Sequence, residues 1–318
     1  MLKMPSGLLQ TTVYVGALVV VGITIGYGIH RYHDASKPII EPKREVRIIK
    51  KKKKSKPQSD ILFVDSRERH ELVVVEKQSI THDVWKIRFR LPKSVRSGIE
   101  PGQHIKYYAL LDGHESSRFY SPITSKLEVG FLEIAVKIYR EDPENGKRGE
   151  FSRFMEALAV GDSVSASGPY GTCTYQGHGK FFYKRSNETK DFSHIGMVAG
   201  GSGITPFMQI IRSVMNNSTE KTKITLIYSN KTEKDIMFKH ELDFYVIRNP
   251  TRFHVCYTLT RPINGWPHCT GRINKEILEN QLPDPNKNVV LLICGPKGLN
   301  DLAKQIAVDL KFLTIHVY

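Results

Sequence analysis

The hydrophobic pattern changes near residue 192, and this change constrains the fold more than any other feature of the chain. From Phe192 onward, short apolar runs alternate with segments of helical periodicity. Repeated strand-then-helix units are typical of a parallel sheet with helices on both faces. We therefore predict an α/β domain over residues 192–318. Its strands are expected at HIGMVA, KITLIYSN, FHVCYTLT and VVLLICGP.

The preceding segment, residues 65–180, has a different pattern. Short runs of alternating apolar and polar residues are separated by Gly, Pro and Asp, as in an antiparallel barrel. We predict an all-β antiparallel barrel here, joined to the α/β domain by a connector at 181–191. Its strands are expected at ELVVVEKQ, VWKIRFRL, HIKYYALL, GFLEIAVKIY and GDSVSASGP. A chain of 318 residues is long enough for two such domains.

An uncharged segment of 22 residues, Leu8–Ile29, lies near the start of the chain. As a helix rising ~1.5 Å per residue, it could cross a hydrocarbon layer ~30 Å thick. A cleaved signal peptide is the alternative, but the stretch is long and no clear small-residue cleavage site follows. We predict a membrane anchor at residues 1–30, with a transmembrane helix whose residues 8–29 contact the lipid bilayer, and a basic flexible linker at 31–64.

Charge is concentrated next to this anchor. Residues 30–60 hold 11 Lys and Arg against 4 Asp and Glu, whereas residues 61–318 hold 35 against 28. Positive residues that follow a span predict a cytosol-facing C-terminal part, at the endoplasmic reticulum or the mitochondrial outer membrane. The lysine run is poor in apolar residues, so nucleic acid is not expected as a partner. Four scattered cysteines exclude an intrinsic metal or iron–sulfur site.

Two turns in the α/β segment are candidates for a binding site. GGSGITP, residues 200–206, follows the first strand and precedes a helix, where backbone N–H groups and the helix N-terminus favour a dinucleotide pyrophosphate. A plain tight turn is the alternative. The second turn, Cys294–Pro296, closes the VVLLI strand. Ligands of open α/β sheets bind outside the carboxyl ends of the strands, where both turns lie.

The predicted barrel carries a second set of candidates. RFYSPIT, residues 118–124, joins a cation suited to phosphate, an aromatic plane suited to a flat ring and a hydroxyl. Farther on, GKRGEFSRFMEAL places Glu150–Ser152 at the start of a predicted helix, a second potential anion site.

RFYSPIT, the KIY of residues 137–139, GEFS at 149–152, GGSGITP and CGP occur in this order and spacing. With them the chain resembles the NADH-cytochrome b5 reductase family of the ferredoxin reductase superfamily, from about residue 65 to residue 318. The resemblance implies that the barrel binds FAD and the α/β domain binds NADH or NADPH, with the flavin ring between them. No resident metal is implied.

The resemblance also assigns roles to single residues. Arg118 would contact FAD phosphate, Tyr120 would lie against the flavin ring, and Ser121 would hydrogen-bond near its reactive nitrogen. Ser121 and Cys294 are the predicted catalytic residues. The complete set of predicted cofactor-binding residues is Arg118, Tyr120, Ser121, Pro122, Lys137, Tyr139, Gly149, Phe151, Ser152, Gly200, Gly201, Gly203, Thr205, Thr260, Arg261, Cys294, Gly295 and Pro296.

Two positions depart from the family pattern. Thr260 and Arg261 follow YTL, where the NADH enzymes usually carry an acidic residue that binds the adenosine ribose. The pair of a hydroxyl and an arginine resembles the arrangement in NADPH-using relatives. The sequence therefore leaves the choice between NADH and NADPH open. Glu150 stands where many relatives have Lys or Arg, which raises the question of how firmly FAD is retained.

The implied activity is a membrane-anchored FAD oxidoreductase that passes electrons from NADH or NADPH to a one-electron acceptor. The expected acceptor is cytochrome b5 or a similar acidic haem protein, because this chain has neither haem-type nor cluster ligands and the domain is basic. One alternative is an NADPH-dependent reductase of quinones, ferric chelates or another haem protein. Another is a redox-silent, membrane-tethered interaction protein.

Two further residues have open interpretations. Tyr318 could stack on the flavin, as terminal aromatics do in some members of the superfamily, but packing of the last strand is the preferred interpretation. His104 is predicted to be a hydrogen-bonded core histidine without a catalytic role.

Overall fold

A computed structural model describes residues 60–140 and 149–318. Residues 8–29, predicted to span a membrane, and nearly all of the predicted linker lie outside the described residues. No helix within the described ranges has the length and apolar character needed to cross a bilayer.

Six antiparallel strands form the first lobe, which confirms the predicted antiparallel β domain and adds one strand, His114–Tyr120, to the five predicted. Their order in the sheet is β4-β3-β6-β1-β2-β5. Beyond the end of β4, Pro122 pairs with Ile134 of β5, and the N–H of Ile123 donates to the carbonyl of Glu133 at 2.9 Å, which closes the sheet into a barrel. The strands are β1 (Arg69–Thr81), β2 (Val84–Arg90), β3 (His104–Leu111), β4 (His114–Tyr120), β5 (Phe131–Lys137) and β6 (Ser163–Tyr170).

Helix α1 (Glu150–Ala157) lies against this barrel. It buries Phe151 and Met155 in the same core as Ile87 and Tyr107 of the strands. Burying large apolar and aromatic side chains of this kind contributes roughly 1.5–3 kcal/mol each. The helix therefore holds its N-terminus at a fixed place beside the barrel.

A small three-stranded antiparallel sheet links the lobes. It consists of β7 (Cys173–Gly177), β8 (Lys180–Tyr183) and β9 (Glu188–Asp191). The segment 181–191, predicted as a connector, thus contains most of β8 and all of β9. Tyr175 and Phe181 are fully buried and pack with the α/β lobe, which gives these strands a place in its core.

The second lobe contains the predicted parallel sheet, in the order β13-β12-β11-β10-β14-β15. The central strands are buried on both faces, as expected for continuous apolar runs covered by helices. The strands are β10 (His194–Gly200), β11 (Lys223–Asn230), β12 (Phe253–Leu259), β13 (Cys269–Thr270), β14 (Val289–Cys294) and β15 (Ile315–Val317). The helices are α2 (Thr205–Met215), α3 (Lys239–Arg248), α4 (Lys275–Gln281) and α5 (Lys297–Asp309).

Helices α2 and α3 cover one face of this sheet, and α4 and α5 cover the other. The α2 face also packs against Val84, Ile123 and Ala135 of the barrel, so the two lobes share a core. Polar contacts strengthen this junction: the Gln209 amide donates to the carbonyl of Thr124 at 2.7 Å, and the Arg212 guanidinium donates to the carbonyl of Ile123. The shared core fixes the orientation of the lobes around the cleft described next.

Candidate functional site

A cavity of about 670 Å³ lies where the two lobes meet. Its size is within the range of small-molecule and cofactor sites. The barrel contributes the end of β4, part of β5 and the start of α1, while the α/β lobe contributes the turns after β10 and β14. Thirteen of the predicted residues line it: Arg118, Tyr120, Ser121, Lys137, Tyr139, Gly149, Phe151, Ser152, Gly203, Thr205, Cys294, Gly295 and Pro296.

The RFYS segment forms the barrel wall of the cavity. Tyr120 packs edge-on against Tyr107, with ring centroids 5.7 Å apart, and burial raises its pKa so that the phenol stays neutral. The Arg118 guanidinium donates to the neighbouring carbonyl of Ser117 at 2.7 Å and has no carboxylate partner among the described residues. The Ser121 hydroxyl makes no hydrogen bond within the described ranges. Pro122 is buried at the barrel closure and does not line the cavity.

Gly149 shapes the start of helix α1. Its φ of 87° is left-handed, and a Cβ there would lie 1.9 Å from the carbonyl oxygen of Tyr139. Among residues 60–140 and 149–318, no side chain caps the N-terminus of α1, which leaves its first N–H groups for an anion. The Ser152 hydroxyl is already bonded internally, accepting from the N–H of Tyr139 at 3.0 Å and donating to the carbonyl of Gly149 at 2.7 Å. Ser152 would therefore bind an anion through its backbone N–H rather than through its hydroxyl.

Lys137 and Tyr139 connect the lobes at the edge of the cavity. The ammonium of Lys137 lies 2.6 Å from Asp83 of the barrel and 3.4 Å from Asp235 of the α/β lobe. Burial alone would raise the pKa of Asp235, but hydrogen bonds from Thr232 and the charge of Lys137 outweigh burial and lower it. Across the cleft, the hydroxyl of Tyr139 is 3.2 Å from that of Ser202. Ionic and polar contacts thus join the walls.

The glycines at the end of β10 and in the turn that follows differ in their surroundings. At Gly200 and Gly203 a Cβ would collide with neighbours, at 2.7 Å from Leu299 and 2.1 Å from the carbonyl oxygen of Cys294, so these glycines allow the turns after β10 and β14 to pack together. Gly201 has a φ of 53° and open space where its Cβ would be. Thr205 begins α2, and its hydroxyl donates to the carbonyl of Ser202 at 3.0 Å.

Cys294 ends β14 and faces the cavity with Gly295 and Pro296. Burial raises the pKa of its thiol to about 12, so the group is a neutral thiol at neutral pH and lacks the nucleophilicity of a thiolate. Tyr318, which follows β15, packs edge-on against Phe207 with centroids 5.8 Å apart. This is the predicted packing role, yet Tyr318 also lines the cavity.

Several lining residues were not predicted from the sequence. His104 lies between Phe119 and Tyr170, with centroids 4.9 and 6.2 Å away, and burial lowers its pKa, so it is a neutral ring at the cavity wall. No side-chain hydrogen bond of His104 occurs within the described residues, contrary to expectation. Phe119 lies between Arg118 and Tyr120 in the candidate segment 118–124, but the sequence analysis assigned it no role. Glu150, Ser202 and Pro206 also line the cavity and lie within the candidate segments 150–152 and 200–206, whereas Ala135 belongs to no candidate segment.

The structure places Thr260 and Arg261 apart from this cavity. They follow β12 and line a second cavity of about 520 Å³, together with Lys231, Gly271 and Arg272. The sequence thus predicted residues of two separate cavities on the same edge of the sheet.

The first cavity fits FAD on three observations. Tyr318 lines the cavity and adds aromatic surface beside the turns of the α/β lobe, while its hydroxyl is buried. Arg118, without a carboxylate partner in the described part of the chain, lies beside the uncapped N-terminus of α1, a suitable pair for a pyrophosphate. Tyr120 and Phe151 provide aromatic surface for a flat ring.

Comparison with known proteins agrees with this architecture. Residues 71–175 match the family model of the oxidoreductase FAD-binding domain, and residues 197–305 match that of the oxidoreductase NAD-binding domain. NADH-cytochrome b5 reductase 2 of Danio rerio is 35% identical over 257 residues, covering 78% of this chain and 83% of the relative. NADH-cytochrome b5 reductase 1 of Bos taurus is 33% identical over 256 residues, covering 78% and 84%.

Among solved structures, the cytochrome b5 reductase domain of Ulva prolifera nitrate reductase superposes with a TM-score of 0.76 at 29% identity, covering 80% of this chain and 99% of that domain. The fold, the two domain matches and the extent of the identity agree. This chain belongs to the NADH-cytochrome b5 reductase family and is an oxidoreductase with an FAD-binding and an NAD-binding domain.

Proposed function

We propose that this protein transfers electrons from NADH through FAD to cytochrome b5. The observation that carries the proposal is the convergence of the RFYS segment of the barrel and the two glycine turns of the α/β lobe on one cavity. The barrel side offers sites for phosphate and for a flat ring, and the other side offers the strand ends where dinucleotides bind. A flavin held between the lobes would therefore face the nicotinamide.

The residues of the barrel would hold the cofactor. Arg118 presents a guanidinium fork to phosphate, and the N–H groups at the start of α1 add a second anion contact. Tyr120, kept neutral by burial, offers its ring and phenol to the flavin. Glu150 lines the cavity without adding a cation, and Lys137 is paired with Asp83 and Asp235, so in the described part of the chain Arg118 and the backbone are the main phosphate contacts.

The residues of the α/β lobe would position the nicotinamide. Gly203 lets its turn approach Cys294 closely, and Cys294 contributes a small neutral side chain to the lining of the cleft. A bound FAD would supply a two-electron acceptor for the hydride of the nicotinamide and a one-electron donor for the haem protein. The protein contributes distance and orientation, and the shared core of the lobes keeps both fixed.

The purified full-length protein tests this proposal. We expect it to carry flavin absorbance that NADH bleaches without oxygen and that oxidised cytochrome b5 restores. Parallel reoxidation by a quinone and by a ferric chelate would identify a different acceptor if either is faster. A protein that takes up no FAD would contradict the proposal and favour a redox-silent role.

We also propose that residues 8–29 anchor the protein in a membrane, with the catalytic lobes facing the cytosol. The support is the uncharged segment and the basic residues that follow it. Its membrane is that of the endoplasmic reticulum or the mitochondrial outer membrane. Extraction of cell membranes at alkaline pH should leave the full chain in the pellet and release a variant lacking residues 1–30. Release of the full chain would contradict the anchor.

A further inference from the structure

The second cavity lies at the carboxyl edge of the parallel sheet and has a strongly basic lining. Lys231 follows β11, Thr260 and Arg261 follow β12, and Gly271 and Arg272 follow β13. Three of these five residues are cations and none is an acid. The cavity therefore presents a positively charged surface with one hydroxyl.

Backbone hydrogen bonds hold the three turns together. The N–H of Arg261 donates to the carbonyl of Lys231 at 2.8 Å, and the N–H of Gly271 donates to the carbonyl of Leu259 at 2.8 Å. The hydroxyl of Thr258 also donates to the carbonyl of Gly271 at 3.0 Å. The basic side chains thus start from fixed positions, although Lys231 and Arg272 are 41 residues apart in the sequence.

The cationic groups of this cavity have no acidic partners among the residues that the structure describes. Within the described ranges, Lys231, Arg261 and Arg272 take part in no ion pair, whereas neighbouring Lys239 lies 3.7 Å from Glu233 and 2.8 Å from Asp243. A guanidinium without a carboxylate partner retains its full set of donors for a ligand. The two arginines can each offer a bidentate fork, which suits a phosphate.

The position of the cavity matches one end of a dinucleotide. In the sheet order, β12 is three strands from β14, whose end contributes Cys294 to the first cavity. At about 4.8 Å per strand, the two strand ends are roughly 14 Å apart along one edge. A nicotinamide at β14 would therefore place the adenosine half of the same molecule near β12. This step rests on the proposed function.

We propose that the second cavity binds the 2′-phosphate of NADPH, so that the protein accepts NADPH as well as NADH. An acidic residue at the adenosine ribose selects NADH by binding the 2′-hydroxyl and repelling a phosphate. No acid lines this cavity among the described residues: Thr260 offers an uncharged hydroxyl, and Lys231, Arg261 and Arg272 supply positive charge. A phosphate monoester carries a charge of about −1.5 to −2 at pH 7 and would be attracted by all three.

Direct binding provides the first test. Titration calorimetry on the full-length flavoprotein compares 2′,5′-ADP with 5′-AMP, which differ only in the 2′-phosphate. We expect 2′,5′-ADP to bind about tenfold or more tightly, since charge-assisted hydrogen bonds to the phosphate are present only in its complex. Arg261→Gln and Arg272→Gln should each reduce this preference about tenfold or abolish it. Lys234→Gln, an exposed lysine that does not line the cavity, should leave it unchanged.

Turnover provides the second test. With an uncharged quinone as acceptor, we expect NADPH to support reduction, and the ratio of kcat/KM for NADPH to that for NADH to fall at least tenfold in Arg261→Gln and further in Thr260→Asp. Equal affinity for 2′,5′-ADP and 5′-AMP, or flavin reduction by NADH but not NADPH, would overturn this inference while leaving the proposed function intact. Tight 2′,5′-ADP binding without flavin reduction by either dinucleotide would contradict the proposed function alone.

Discussion

At the residue scale, a single glycine allows the chain to pass close to Tyr139 at the start of helix α1. Gly149 has a φ of 87°, and a Cβ would lie 1.9 Å from the carbonyl oxygen of Tyr139. Gly113 has a similar φ of 78° but nothing within 4 Å of its Cβ position. The two positions thus separate the cost of backbone conformation from that of a steric clash.

We predict that Gly149→Ala destabilises the protein by about 2–4 kcal/mol, because left-handed strain and overpacking add. Gly113→Ala should cost only about 1–2 kcal/mol, from strain alone. Chemical denaturation of both variants measures the free energies of unfolding, and flavin content reports the binding loop. Equal costs, or full flavin retention in Gly149→Ala, would show that the loop adjusts freely.

At the element scale, an ion cluster joins strand β5 of the barrel to the segment after β11. The ammonium of Lys137 lies between Asp83 and Asp235, which come from different lobes. Because the pKa of Asp235 is lower in the folded protein, its carboxylate stabilises the fold above the ordinary Asp pKa of about 4. That contribution is lost as the pH falls through the lower, folded value.

We predict that Asp235→Asn lowers the Tm at pH 7 and that the difference from the unmodified protein shrinks between about pH 5 and pH 3. The amide keeps an oxygen for the Thr232 hydrogen bonds, so mainly the charge is removed. Glu188→Gln is the control, because Glu188 and Lys190 form an exposed pair that contributes little. A Tm difference that is as large at pH 3 as at pH 7 would contradict the ionic explanation.

The elements also show how far the sequence predicts this fold. Strands β10 and β14 were predictable because each is a continuous apolar run buried on both faces. Strand β4, with the sequence HESSRFY, was not predicted, because it buries little and lacks apolar alternation. Strand β13 has two residues and owes its existence to its pairing with β12, which no local pattern reveals.

The same limit applies to the candidate sites. RFYS, GEFS and the two glycine turns are local motifs, and the fold brings them to one cavity. Lys231 and Arg272 belong to no motif and join Arg261 only through the register of β11, β12 and β13. Residues whose proximity depends on tertiary structure could not be assigned from the sequence, whereas residues within one turn could.

At the scale of the whole molecule, the charge of the folded lobes affects the encounter with an acidic haem protein. Residues 61–318 carry 35 basic against 28 acidic side chains. Such an excess attracts an acidic partner over distances comparable to the Debye length, about 10 Å at 0.1 M salt. The attraction should raise the rate of association more than the stability of the complex.

We therefore predict that the rate of cytochrome b5 reduction falls about tenfold between roughly 0.02 M and 0.5 M salt, because added ions screen this attraction. Stopped-flow mixing of the NADH-reduced protein with oxidised cytochrome b5 measures it. A small uncharged quinone is the matched acceptor, and its reduction should change little over the same range, since it experiences no net attraction. If both acceptors slow equally, salt acts on the flavoprotein itself. A haem reduction rate that is constant or increases with salt would mean that the excess positive charge does not face the acceptor surface.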